Sequence, residues 1–230
     1  MNSPARTGAM LAGAGMAVPE QVRSNAAIAA RLGVDEQWIV RRTGTRERHV
    51  AAEGQRLDQL AAQAARAALA QADIPATAVD AVLIGTTSAE EMSPHAAPLV
   101  AADIGAVGAA AIDVSAACTG FLSCLVLGAS MIESGRARTV LAIGADLLTR
   151  YLDEDDPDSA MLFGDGAGAV VLTASAGPAG VGPAILSSDG SRRDLIRLAR
   201  DDLLIKMDGP SVYRQAVRLM SDVAAQAAQQ

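Results

Sequence analysis

Aromatic side chains make up only 2% of this 230-residue sequence, so its core cannot rest on large rings. Half of the residues are nevertheless apolar and 20% are charged, which excludes disorder and allows one large domain or two small ones. About 50 alanines supply much of that apolar content. Such small side chains let helices and strands approach closely, and the expected body is layered α/β. Cysteine is almost as scarce. Two residues, Cys118 and Cys124, form neither a CxxC pair nor a Cys/His cluster, so a disulfide framework and a zinc site are both excluded. No metal is expected, and a reducing cytoplasm fits best. Lysine occurs once, at Lys206, and no arginine block is interleaved with aromatics in a chain of net charge −7. Nucleic acid is therefore not an expected partner. Long hydrophobic runs are missing too: no stretch reaches the roughly 18 apolar residues of a membrane span. The Gly/Ala-rich run Gly8 to Val18 follows a single Arg and leads into Pro19-Glu20 without a good cleavage site, so it reads as a strand and not as a signal peptide.

What is present is a recurring alternation. Ala81 to Gly85, Ala110 to Val114, Thr139 to Ile143 and Ala169 to Leu172 read as buried strands. Between them lie segments of helical composition: Ser24 to Leu32, Leu57 to Ala72, Pro94 to Ile104, and Thr119 to Ser134, the last closing on Gly135. Strands alternating with helices imply crossover connections and a largely parallel sheet. After Thr173 the Gly/Pro/Ala-rich segment through Pro183 reads as a junction, with a new strand beginning at Ala184. From Ser211 on, Val212, Ala216, Val217, Met220, Val223 and Ala224 recur at helical spacing. The expected organisation is a complete half over 1–174, carrying the chemistry, and over 175–230 the incomplete beginning of a second half.

Asp113-Val114-Ser115-Ala116-Ala117-Cys118-Thr119-Gly120-Phe121 is the most informative segment, because a strand ends in a tight turn of small residues and Cys118 falls at the start of a long apolar helix. Unpaired N–H groups and the helix dipole at that end stabilise negative charge, which makes such a cysteine a usable nucleophile. A small buried residue is the other reading of the same position. Cys124, deeper in the helix, lacks those N–H groups and reads as core. Gly164-Asp165-Gly166-Ala167-Gly168 precedes a strand, so it is no nucleotide loop. Its glycines suit a turn and close packing, with Asp165 hydrogen-bonded to backbone.

Three segments together resemble the β-ketoacyl-acyl-carrier-protein synthase III group of the thiolase superfamily: Asp35 to His49, the Cys118 segment, and Leu162 to Val170. Their order and spacing match, and the resemblance runs from about Leu11 to the last residue. It implies a thiolase-like fold of α-β-α-β-α layers, usually as a homodimer without a cofactor. Cys118 would take an acyl group from acyl-coenzyme A as a thioester. Malonyl-acyl-carrier protein would then lose carbon dioxide and attack that thioester to give a 3-oxoacyl-carrier product. In the family a His and an Asn stabilise the enolate, and a C-terminal Gly-rich loop completes the oxyanion hole. The resemblance places neither His49 nor His95 at that catalytic position. It puts Trp38 on the adenine of coenzyme A and Arg42 on its phosphates, chemistry that suits an aromatic face and a guanidinium.

Two departures stand out. Pro157, directly after the acidic run from Asp153 to Asp156, takes the place of an arginine that covers the adenine in well-studied members, which sets an acidic rim against coenzyme A. Met92-Ser93 stands where some members carry a bulky phenylalanine that limits acyl length. The resemblance also implies a basic patch that meets the acidic carrier protein, for which Arg214 and Arg218, one turn apart on the last helix, are the candidates; a solvated helix face is the other reading of the pair. Two other readings stay open: a related acyltransferase of secondary metabolism, and a truncated, non-catalytic chain acting at most as an interaction subunit.

Overall fold

The computed structural model describes residues 7–176 and 180–230; Gly177-Pro178-Ala179, the centre of the expected junction, lies outside them. In chain order the elements are β1 (Thr7–Ala17), β2 (Gln21–Ser24), α1 (Asn25–Leu32), α2 (Glu36–Thr43), β3 (Glu47–Val50), α3 (Leu57–Ala72) and β4 (Ala81–Gly85). There follow α4 (Ala96–Ile104), β5 (Ala110–Val114), α5 (Gly120–Glu133), β6 (Thr139–Leu147), β7 (Asp165–Ala176), β8 (Ile196–Leu198), β9 (Ile205–Met207) and α6 (Gly209–Ala227). They belong to two compact units. One comprises the described residues up to Pro19, Ala52–Asp146 and Gly166–Gly182; the other comprises Glu20–Ala51, Leu147–Asp165 and Pro183–Gln230.

The first unit is built on a five-stranded sheet of order β1-β7-β6-β4-β5. β4 runs parallel to both β5 and β6, as the helical crossovers require, whereas β1 runs antiparallel to β7 with a bulge between Leu11 and Gly13. Ala81 and Leu83 of β4 and Val140 and Ala142 of β6 share a buried cluster with Cys124, Ala129 and Ile132 of α5. Side chains alternate along a strand, so Leu172 points to α5 while its neighbour Val171 points away. Gly13, the register partner of Val171, meets α3 on that opposite side. The alanine-rich composition acts here: a Cβ on Gly13 would come within 2.5 Å of the Ala68 carbonyl oxygen and 2.7 Å of the Ala72 nitrogen. Strand and helix backbones are nearly in contact.

In the second unit β2 and β3 form an antiparallel pair, β8 and β9 another. Ile28, Ala29, Ile39 and Met161 make a small core under α1 and α2. α6 opens on Asp208, whose carboxylate accepts from the Ser211 N–H at 3.0 Å, and no residue of this helix is buried. The strand expected from Ala184 does not form. Residues 184–189 are irregular, Leu186 is exposed, and the segment finds no ladder partner among the described residues, which an apolar run needs in order to become a strand. A 3-10 segment follows over Gly190–Leu195, and the next strand begins only at Ile196.

Candidate active site

β5 ends at Val114, and the chain closes a turn in which the Ala116 N–H donates to the Val114 carbonyl at 3.1 Å. A short 3-10 turn over Ala117–Thr119 then leads into α5. Ala117 sits at φ 45°, a left-handed conformation that costs a Cβ-bearing residue about 1–2 kcal/mol. That strained residue directly precedes Cys118, which is exposed and unpaired. The helix thus begins one residue later than the expected Thr119, and Cys118 occupies the 3-10 turn before it. Cys124 is fully buried, and desolvation, with the nearby Asp113 carboxylate adding to it, pushes its thiol up to about 12.

Position follows from register. Gly85 and Val114 end β4 and β5 at the level of Gly144 in β6, which runs on to Leu147, and ligands bind outside the carboxyl edge of such sheets. Gly85 touches Gly120, the first residue of α5: a Cβ on Gly120 would lie 2.9 Å from the Gly85 Cα. A Cβ on Gly144 would lie 2.9 Å from Phe121 Cβ. These glycines let the Cys118 turn sit directly on the sheet edge. Asp113 completes the support, its two oxygens accepting from the Ala96 and Ala97 N–H groups of α4 at 3.0 and 2.7 Å. Asp146, one residue before β6 ends, binds the loop that follows the neighbouring strand β4. Its Oδ1 accepts from Thr86 Oγ1 (3.2 Å), Thr87 N (2.9 Å), Thr87 Oγ1 (3.0 Å) and Ser88 Oγ (3.0 Å). Sequence reasoning missed Asp146, whose partners lie some 60 residues away; only the polar stretch Thr86-Thr87-Ser88 directly after an apolar strand hinted at it.

The second unit brings Trp38 and Arg42 together on α2. Asp35 caps that helix, accepting from the Trp38 N–H at 2.7 Å, and Gly44 ends it at φ 70°. The Arg42 guanidinium carbon lies 3.9 Å from the centroid of the Trp38 ring. Arg48 fastens this region from below. Its Nε donates to the Met161 carbonyl at 3.0 Å and its guanidinium to Asn25 Oδ1 at 2.6 Å, while Asn25 Nδ2 donates to the Thr45 carbonyl at 2.7 Å. Burial, and then the charge of Arg23, lower the Arg48 pKa below the ordinary guanidinium value. Asp165 is buried as well, accepting from the backbone N–H groups of Ala51 (2.7 Å) and Thr149 (2.9 Å) and from Thr149 Oγ1 (2.6 Å). It opens β7, so Gly166 and Gly168 are strand residues and not part of a turn.

The acidic run also differs from the expected rim. Glu154 is paired with Arg23 at 3.0 Å and with Arg31, and Asp155 with Arg31 at 2.7 Å, so two of these carboxylates are neutralised by arginines. Arg31, Glu154 and Ala160 help line a cavity of about 230 Å³. Arg214 and Arg218 are both exposed on α6, and Arg214 lines a separate cavity of about 440 Å³ with Ser191, Arg192 and Asp194. His95 is exposed at the start of α4, and His49 lies in β3. Cys118 belongs to the first unit; Trp38, Arg42, Arg214 and Arg218 belong to the second. Among the described residues, no group of three or more His, Cys, Asp or Glu could hold a metal ion, and no helix is long and apolar enough to cross a membrane.

Comparison with known proteins converges on one group. Residues 112–190 match the family model of 3-oxoacyl-[acyl-carrier-protein] synthase III. The β-ketoacyl-[acyl-carrier-protein] synthase III of Bordetella petrii is 41% identical over 97% of this chain and 73% of its own length. That of Roseiflexus castenholzii is 39% identical over 93% of this chain and 69% of its own. Among solved structures, 3-oxoacyl-[acyl-carrier-protein] synthase III from Aquifex aeolicus superposes with a TM-score of 0.87 at 35% identity, covering 96% of this chain and 71% of the other. The priming β-ketosynthase of the R1128 polyketide pathway superposes with the same TM-score, 0.87, at 31% identity, covering 95% and 68%.

Proposed function

Because this chain belongs to the β-ketoacyl-[acyl-carrier-protein] synthase III family of thiolase-like condensing enzymes, we propose that Cys118 is its acyl-carrying nucleophile in fatty-acid initiation. The observation that carries the assignment is the exposed thiol in a strained turn at the carboxyl edge of β4, β5 and β6. In this reading the Cys118 thiolate attacks the carbonyl of an acyl-coenzyme A, and the coenzyme A thiolate leaves. Malonyl-acyl-carrier protein then gives up carbon dioxide, its carbanion forms the new carbon–carbon bond, and Cys118 departs as thiolate. The thioester substrates provide all the activation, so the reading needs no cofactor.

Trp38 and Arg42 take the nucleotide end of the donor, and Arg214 with Arg218 meets the acidic carrier protein. A homodimer fits the outer strand of the sheet: among the described residues β5 has one neighbour, β4, and it leaves Ala110 and Ile112 exposed. Cytoplasmic residence and a division near residue 174 into a Cys118-bearing half and a second half complete the reading. Incubation with acyl-coenzyme A followed by peptide mass spectrometry tests its centre: the acyl mass should fall on Cys118 and vanish in Cys118→Ala, and label on Cys124 would remove the assignment. The likeness to a polyketide priming enzyme favours one other reading, in which the same acyl-Cys118 starts a polyketide. Comparing the rates at which fatty-acid and polyketide starter acyl-coenzyme A donors acylate Cys118 separates the two.

A further inference from the structure

Trp38 is the only tryptophan of the chain, and it packs on the Ile28, Ile39 and Met161 cluster. One turn further along α2, the exposed Arg42 lays its guanidinium over the indole at 3.9 Å. Nearby arginines are engaged differently. Arg41 reaches Asp35 at 3.9 Å, Arg23 reaches Glu154, and Arg31 reaches Asp155. Arg42 has no carboxylate partner among the described residues, and its recorded interaction is with the ring. A cation on a half-exposed indole is held more weakly than one bonded to phosphate. The place a purine would take over that ring face is already filled, by the group best suited to the phosphates of the same ligand.

We propose that Arg42 and the purine of a phosphorylated nucleoside exchange places on Trp38: Arg42 rests on the indole in the free protein and moves to the phosphates when the purine stacks. This rests on the assignment of Trp38 and Arg42 to the donor site. Arg42 therefore opposes a bare purine, which must displace it without compensation, and supports a phosphorylated one, which gives it a new partner. The two ligand classes respond to its loss with opposite signs.

Fluorescence of the single tryptophan reports on the ring directly. Adenosine and coenzyme A are titrated into the parent chain, Arg42→Gln and Arg42→Lys. Because Arg42 is exposed, the variants fold, and their unfolding midpoints verify it. Removing the stacked cation should shift the emission of ligand-free Trp38. Arg42→Gln should bind adenosine about twofold to fivefold tighter and coenzyme A about tenfold more weakly, the loss of one charge-assisted contact. Arg42→Lys, which keeps the charge but not the planar stack, should bind adenosine more tightly and coenzyme A nearly as the parent does. Affinities for adenosine and coenzyme A that fall together in Arg42→Gln, or unaltered emission of the free variant, would overturn the exchange while leaving the donor site standing. Absence of any quenching by coenzyme A in the parent would overturn the donor-site assignment, and the exchange with it.

Discussion

At the scale of single residues, the two cysteines separate by environment. Cys118 is exposed in a turn, whereas Cys124 is enclosed and its thiol is pushed up to about 12, so at pH 8 to 9 it holds almost no thiolate. Only the thiolate reacts with alkylating agents. Iodoacetamide at that pH should therefore carboxamidomethylate Cys118 and spare Cys124 until the chain unfolds, with peptide mass spectrometry as the check. Equal labelling of both in the folded protein would contradict the burial. The contrast was legible in the sequence, because Ala116-Ala117-Cys118-Thr119-Gly120 marks a turn between a strand and a helix while Cys124 falls inside the apolar helix. What could not be read was the strain at Ala117: alanine carries no sign of a positive φ, which the neighbouring packing imposes. Asp146 was equally hidden, since a carboxylate shows its role only when Thr86, Thr87 and Ser88 arrive beside it.

Among elements, apolar periodicity predicts α1, α3, α4, α5, α6 and the central strands, but neither α2 nor the spacing between the elements. That spacing depends on glycine. The ends of β4 and α5 meet at Gly85 and Gly120, where a Cβ on Gly85 would overlap the Gly120 carbonyl carbon. Backbone cannot move aside as a flexible side chain can. Gly85→Ala should thus cost roughly 3 kcal/mol, at the upper end of overpacking effects, and displace the turn that carries Cys118. Gly120→Ala, whose Cβ meets Gly85 Cα at 2.9 Å, should cost less. Urea unfolding ranks the pair, and a slower Cys118 alkylation rate in Gly85→Ala reports the displaced turn. The acidic loop gives a second prediction. Hydrogen bonding to Arg31 and then its charge hold the Asp155 carboxyl below the usual carboxylate range. A lowered folded pKa contributes stability above the ordinary value of about 3.9, lost as pH falls through the lower folded value. Asp155→Asn should therefore lower the urea midpoint equally at pH 5 and pH 8, and the gap to the parent should close in acid. A gap that widened toward low pH would have the wrong sign. Ala184 marks the limit of periodicity, because an apolar run becomes a strand only where a partner edge is offered.

Across the whole molecule, residues far apart in sequence build each unit. Arg48 reaches Met161, the Ala51 N–H reaches Asp165, and Arg31 reaches Asp155, each across more than 110 positions. Composition read along the chain marks a junction after Thr173 but not this interleaving, which only the long-range hydrogen bonds reveal. The three resembling segments were nevertheless legible as a set, because each is a short continuous stretch: the capped helix α2 leading into β3, the turn from β5 to α5, and the start of β7.

Acylation and condensation make different demands on these residues. Acylation needs a thiolate and an oxyanion site at one sheet edge, whereas decarboxylating a malonyl thioester builds charge on an oxygen that positioned donors must hold. Removing one such donor costs about 10²–10³ in rate. Residues 1–230 hold two imidazoles, His49 in β3 and the exposed His95 opening α4, and the family resemblance places the enolate-binding His and Asn at neither. The 230-residue chain by itself should consequently acquire acyl groups on Cys118 yet release no carbon dioxide from malonyl-carrier protein above background. The double variant His49→Gln/His95→Gln should be acylated at the parent's rate. Labelled carbon dioxide and peptide mass spectrometry measure the two half-reactions separately. Condensation by this chain at about 1 s⁻¹ or faster, an ordinary enzyme rate, would show that residues within 1–230 stabilise the enolate, and its loss in the double variant would assign that role to one or both imidazoles.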